Sequence, residues 1–173
     1  DMAYSDHIRS KRNMASMTPA LFNQMERLGE HKQYMSNTLQ MNCGNGNFSE
    51  IAQFAGINKT DWSWCPLFAD LDNDGHKDLI VTNGFRRDAG DRDFQIDASK
   101  LEQQGNSSKM AMVNLMPQTK VANVVYKNAG KNKFKNQSEE WGFDKKVNSN
   151  GMAWADLDGD GDLDLVINNM EDI

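Results

Sequence analysis

The chain's 173 residues fit one ordinary domain or a piece of a larger one, and an apolar share of roughly 44%, counting glycine, excludes wholesale disorder. With 19 Lys and Arg against 25 Asp and Glu the formal charge is −6, and without a long basic block this argues against nucleic acid as the main partner. No apolar run reaches the 18 or so residues of a membrane span, and two cysteines exclude a disulfide scaffold.

Nineteen Asn and 13 Gly beside only 3 Pro describe a turn-rich chain, because Asn and Gly tolerate positive φ. It begins at Asp1 with no initiator Met and no signal-like apolar segment, so a processed or internal fragment is expected. In chain order, Leu21, Phe22, Met25 and Leu28 have helical spacing and predict a helix over 19–34. Extended segments follow at 38–41 and 48–51, joined by the hairpin chemistry of Asn42-Cys43-Gly44-Asn45-Gly46-Asn47. Two more, at 63–68 and 79–82, flank an Asp-rich loop. A weaker helix pattern covers 97–116, broken near Gly105-Asn106. The four-strand pattern then returns at 124–127, 134–137, 152–154 and 165–168.

That return is a duplication. Sliding the chain against itself by 86 residues aligns 37–84 with 123–170, and 16 of 48 positions are identical. Chance would give two or three. The chain therefore divides into a partly helical insertion (1–36), a first repeat (37–84), a second insertion (85–122) and a second repeat (123–173). Four short strands in some 48 residues make one small antiparallel sheet, the size of a propeller blade. The insertions carry a net charge of +2 and the repeats −8.

The acid sits in two loops, Asp70-Leu-Asp72-Asn-Asp74-Gly75-His76-Lys-Asp78 and Asp156-Leu-Asp158-Gly-Asp160-Gly161-Asp162-Leu-Asp164. Both read D-x-D-x-D-G-x-x-D. Carboxylates at the first, third, fifth and ninth positions can converge if the backbone coils, and Gly at the sixth permits the coil. The carbonyls of His76 and Asp162, at the seventh, can add an oxygen. Oxygen ligation with no His or Cys cluster selects calcium, one ion per loop. This is no EF-hand: Val81 and Ile167 stand where a bidentate Glu is needed, and an apolar strand follows each loop. The bland alternative is a pair of Asx-rich turns without metal.

These residues, with the Asn-Gly turn upstream, resemble the FG-GAP/VCBS repeats of calcium-binding β-propellers. Asp61-Trp62-Ser63-Trp64 and Thr82-Asn83-Gly84-Phe85-Arg86-Arg87-Asp88 are most similar to bacterial extracellular proteins related to cartilage acidic protein. Such proteins often carry an ASPIC/UnbV module, and no such segment is read in this chain. The resemblance implies an all-β fold of four-stranded antiparallel blades, in which each calcium loop joins a blade's first and second strands. The chain would then hold the outer strands of one blade (38–51), a complete blade (63–137) and the first two strands of a third (152–168). About two blades' worth cannot close a ring, so remaining blades of a larger parent protein are expected partners.

Trp62, Trp64, Trp141 and Trp154 invite a sugar-stacking role. Trp64 and Trp154 fit core packing better, whereas Trp62 lies on a loop that in such blades opens beside the insertions. Arg86-Arg87-Asp88, with Asp91-Arg92-Asp93, is either a self-paired solvated loop or a recognition site for an acidic glycan. No Ser/His/Asp or Cys/His constellation is present, so no catalytic residue is assigned. Cys43 and Cys65 belong to no shared repeat position, and separate thiols are expected although a disulfide stays open. Asn47 and Asn58 begin glycosylation sequons of the kind an Asn-rich chain produces by chance. The function expected is a non-catalytic, secreted or cell-surface calcium-stabilised scaffold that binds protein or glycan on the insertion face, through Trp62, Arg86, Arg87 and Asp88. Alternatives are part of a carbohydrate-active propeller enzyme such as a polysaccharide lyase, or a structural subunit of a surface assembly.

Overall fold

The computed structural model describes residues 2–13, 19–31, 34–105 and 108–170. In chain order its elements are β1 (Met2–Ala3), α1 (His7–Asn13), α2 (Pro19–Arg27), β2 (Gln40–Asn42), β3 (Phe48–Glu50), α3 (Ala52–Ala55), β4 (Asp61–Ala69), β5 (Asp78–Asn83), α4 (Arg92–Gln103), α5 (Lys109–Leu115), β6 (Val121–Ala122), β7 (Val124–Asn128), β8 (Phe134–Asn136), β9 (Lys146–Val147), β10 (Ser149–Ala155) and β11 (Asp164–Asn169). Among the described residues no helix is long and apolar enough to cross a membrane.

The fold is all-β and propeller-like, with an incomplete set of blades. Its largest sheet is antiparallel, with strand order β1-β4-β5-β7-β8. The last four strands of that order form the complete blade, and the insertion 85–122 connects its second and third strands. Strand β5 explains its own continuous apolar run, since all six of its residues are buried. In its ladders Ile80 faces Leu67 on one side and Val125 on the other, and Ile80 and Val125 are both 0% exposed. Leu79, Val81 and Tyr126 join Ala52 and Ala55 of α3 and Ile57 in one apolar cluster. Strands β2 and β3 form a separate hairpin on one side of this blade, and β10 and β11 form another.

Some pairings lie beyond what local pattern shows. Strand β1 pairs with β4 at Met2↔Trp62 and Ala3↔Asp61, and β6 pairs with β9 at Val121↔Val147. The helix expected over 19–34 is shorter, ending at Arg27 before Gly29 at φ 72°. Residues 32–33 lie outside the described residues. In place of one broken helix over 97–116 there are two, and the first starts earlier because Asp91 caps it, accepting from the Asp93 and Phe94 N–H groups. The break falls at Gly105, φ 75°, while Asn106 lies outside the described residues. Trp64 and Trp154, expected in the core, are 47% and 45% exposed. Trp64 lies with Pro66 and Phe68 along a groove of about 500 Å³ that Thr38 and Leu39 line from the other side.

Residues 2–13 are anchored by charge. The Arg9 guanidinium forks onto the buried Asp61 carboxylate at 2.9 and 3.0 Å and lies 4.0 Å from Asp88. The Asn13 amide donates to Asp88 at 2.7 Å, and Arg12 pairs with Asp91 and Asp93. Tyr4 is buried beside this network, with Arg9 over its ring at 5.0 Å. Burial, reinforced by the Asp88 charge, pushes the Tyr4 hydroxyl up to about 12 from 10.0. Because the folded value is the higher one, its stabilising contribution is complete below pH 10 and is lost as pH climbs towards 12. Ultraviolet titration should show Tyr4 ionising late, and Tyr4→Phe should flatten the fall in stability over that range. Ordinary ionisation of all three tyrosines would contradict this packing.

Where β5 ends, Gly84 meets the start of β10. Its φ is 143°, and a Cβ there would lie 2.6 Å from the Asn148 Cα and 3.0 Å from the Ser149 N. Both contacts are backbone, so neither can swing away. Gly84→Ala should cost about 1–3 kcal/mol in chemical denaturation. Gly151→Ala, with nothing within 4 Å and an ordinary φ, should stay within about 0.5 kcal/mol of wild type. Equal effects would argue against a tight seam.

Candidate metal centre and the insertion face

Each Asp loop bridges a strand pair, from Ala69 of β4 to Asp78 of β5 and from Ala155 of β10 to Asp164 of β11. The first carboxylate builds the coil in both. Asp70 accepts from the Asp74 N–H at 3.0 Å and the Gly75 N–H at 2.9 Å. Asp156 accepts from Gly159 at 2.7 Å and Gly161 at 3.1 Å. At the sixth position Gly75 and Gly161 take φ 84° and 94°, the left-handed turn that brings the chain back. The ninth carboxylate closes the loop: Asp78 accepts from the Leu71 N–H at 3.1 Å, and Asp164 from that of Leu157 at 2.9 Å.

The result is the same trio twice. Carboxylate oxygens of Asp70, Asp72 and Asp78 lie within 4.8 Å of one another, as do those of Asp156, Asp158 and Asp164. The fifth position stays outside each trio. Asp74 accepts from the His76 N–H at 2.9 Å and Asp160 from that of Asp162 at 2.9 Å, which turns both towards their own loops. The two loops touch, since the Asn73 amide donates to the Asp162 carboxylate at 2.5 Å.

Asp78 is the buried member of the first trio. It is 0% exposed, and burial pushes its carboxyl above the usual range. The charges of Asp72 and Asp74 act the same way, while the Asn128 and Leu71 N–H groups oppose them. A buried anion among anions calls for a cation. The donors are all oxygen, three carboxylates at each trio, which fits a hard ion such as calcium.

One residue was not legible in the loops. Lys127, on β7, places its ammonium on Asp72 and 2.9 Å from Asp74. It holds the Asp74 carboxyl below the usual range, helped by the His76 N–H. The equivalent position in the first repeat is Met41, so the repeat itself gave no signal. The neighbouring Asn128 fixes this strand to the loop, its N–H on Asp78 at 2.8 Å and its amide on the Lys77 carbonyl at 3.1 Å. The 128–133 hairpin thus lies beside the 70–78 loop, at one end of the blade.

The opposite end carries the insertions. Trp62 is half-buried and stacks on Phe85, with centroids 4.1 Å apart and planes 5° from parallel. Arg86 is exposed, and Arg87 donates to the Val113 carbonyl at 2.5 Å. Asp88 is 3% exposed, inside the network with Asn13 and Arg9, and burial raises its carboxyl. Of these four residues Arg86 presents the most open side chain, while Arg87 and Asp88 hold the insertions together. Cys43 and Cys65 are both free thiols.

No curated protein and no solved structure was found to match the chain. The FG-GAP-like repeat matches it twice, over residues 30–81 and 113–167, more than half of its length, and each match ends in the strand that follows an Asp loop. With the same coil, the same trio and the same strand pair at both places, the chain belongs to the FG-GAP-like repeat family.

Proposed function

We propose that this chain is part of a non-catalytic binding scaffold working outside the cell or at its surface, with one calcium ion fixing each Asp loop. The observation that carries the proposal is the convergence of three carboxylates at equivalent places in two repeats. Asp70, Asp72, Asp74 and Asp78, with the His76 carbonyl, would hold the first ion. Asp156, Asp158, Asp160 and Asp164, with the Asp162 carbonyl, would hold the second. Calcium would supply charge compensation and cross-linking of loop backbone, not reaction chemistry. A protein or glycan partner is met on the insertion side, where Ile8, Ile96, Met110 and Leu115 expose apolar side chains on the helices. The half-exposed Trp64, Phe68 and Trp154 suit burial against further blades of a larger parent protein.

A ligand bound only by the folded state stabilises it by about 2.7 kcal/mol at 100-fold excess over Kd. Calcium should therefore raise the melting temperature by about 5 °C or more, and EGTA should reverse the shift. Asp160→Ala should remove part of the shift and leave binding at the first loop. A melting curve that calcium and EGTA both leave unmoved would overturn the calcium reading. For the partner face, Trp62→Ala with Arg86→Ala should abolish glycan-array or partner binding at unchanged calcium affinity. Loss of binding on substitution in the 42–47 or 128–133 hairpins instead would put the partner at the other end.

A further inference from the structure

We propose that Lys127 is a built-in competitor for the cation of the first Asp loop, so that the two loops fill unequally and the second fills first. The inference rests on the calcium reading above and adds to it an order of occupancy and the residue that sets it.

The ammonium of Lys127 is bound to Asp72 Oδ2 and lies 2.9 Å from Asp74 Oδ2. Two of the loop's four carboxylates therefore already share a positive charge. One of them, Asp72, belongs to the converging trio. The strand that carries the lysine is tied to the loop, which keeps its ammonium within reach of both carboxylates. Asn128 donates from its N–H to Asp78 and from its side chain to the Lys77 carbonyl. A metal ion entering the first loop must displace the ammonium from Asp72, then remain close to a charge of its own sign. The second loop differs in kind. Its five carboxylates are all exposed. Among the described residues their partners are backbone N–H groups and the Asn73 amide. None of these is a cation. Metal entering there displaces no charge of the described residues and relieves the mutual repulsion of five carboxylates.

Lysine in the first loop thus does in part what metal does in the second: it offsets carboxylate charge and keeps the coil in shape. At intermediate calcium the chain would hold one metal and one lysine at neighbouring loops.

The test is isothermal calcium titration of the whole 173-residue chain. Two classes of site should appear, separated by roughly tenfold in affinity, the size expected from one nearby like charge. Asp156→Asn should delete the tighter class and leave the weaker. Lys127→Met, which installs the side chain found at the equivalent Met41, should tighten the weaker class by roughly tenfold, and Lys127→Gln should do the same should the Met variant fail to fold. Lys127→Arg should keep the two classes apart. The inference is overturned if the wild-type classes coincide, if Asp156→Asn removes the weaker class, or if neither neutral variant moves it. Calcium uptake at neither loop would sink the calcium reading itself and this inference with it.

Discussion

A carboxylate with no exposed surface holds the centre of this molecule. Asp78 opens β5 and gathers three pieces of backbone onto one group: its own strand, the Leu71 N–H of the loop before it, and the Asn128 N–H at the end of β7. Burying an anion is unfavourable unless it is paired or well hydrogen-bonded. Here the two N–H groups compensate in part, and the approach of Asp70 and Asp72 makes the deficit larger. The same group therefore ties the loop and the end of β7 to the start of β5, and it brings a charge deficit that a cation would offset. Structure and site are one arrangement, and neither can be altered at this position alone.

At the other end of the blade the balance is struck with protein charges. Asp61, Asp88 and Asp91 are all buried, and Arg9 and Arg12 of α1 meet them. Asp61 takes φ 86°, a strained conformation for a side chain other than glycine, at the point where β1 joins β4. Removing one partner from such a set leaves an uncompensated buried charge, which costs far more than the pair contributes. The insertions are therefore welded to the blade, and to each other through α1 and α4. Exposed on this side are Arg86 and a scatter of apolar residues on the helices.

Much of this was legible in the residues, for physical reasons. Strand pairs with alternating or continuous apolar runs and glycine-bearing turns are local signals, and the duplication printed each of them twice. Strands β4, β5, β7 and β8 fall within a few residues of expectation. The Asp loops were legible because a tight coil of carboxylates needs glycine at one position. Lys127, β1 and the β6–β9 pair were not, because each depends on a partner more than 20 residues away, and the strands added at the equivalent Asp61 and Val147 come from outside the repeats. The burial of Asp88, which the residues place in a solvated loop or on a partner face, was not legible for the same reason: its partners Arg9 and Asn13 lie over 70 residues upstream. The half-exposed tryptophans are a different case, since their strand faces are apolar while little of the described chain covers them.

The Asn73 amide that grips Asp162 carries a consequence of its own. It joins the fourth residue of one loop to the seventh of the next, so each loop's order becomes a boundary condition on its neighbour. Such coupling is reciprocal by thermodynamic necessity. Whatever binding free energy an ion in one loop would add at its neighbour, an ion in the neighbour would return in equal measure. Along a circle of like blades, contacts of this kind would turn separate ion seats into a continuous rim, stiffened or loosened as a whole.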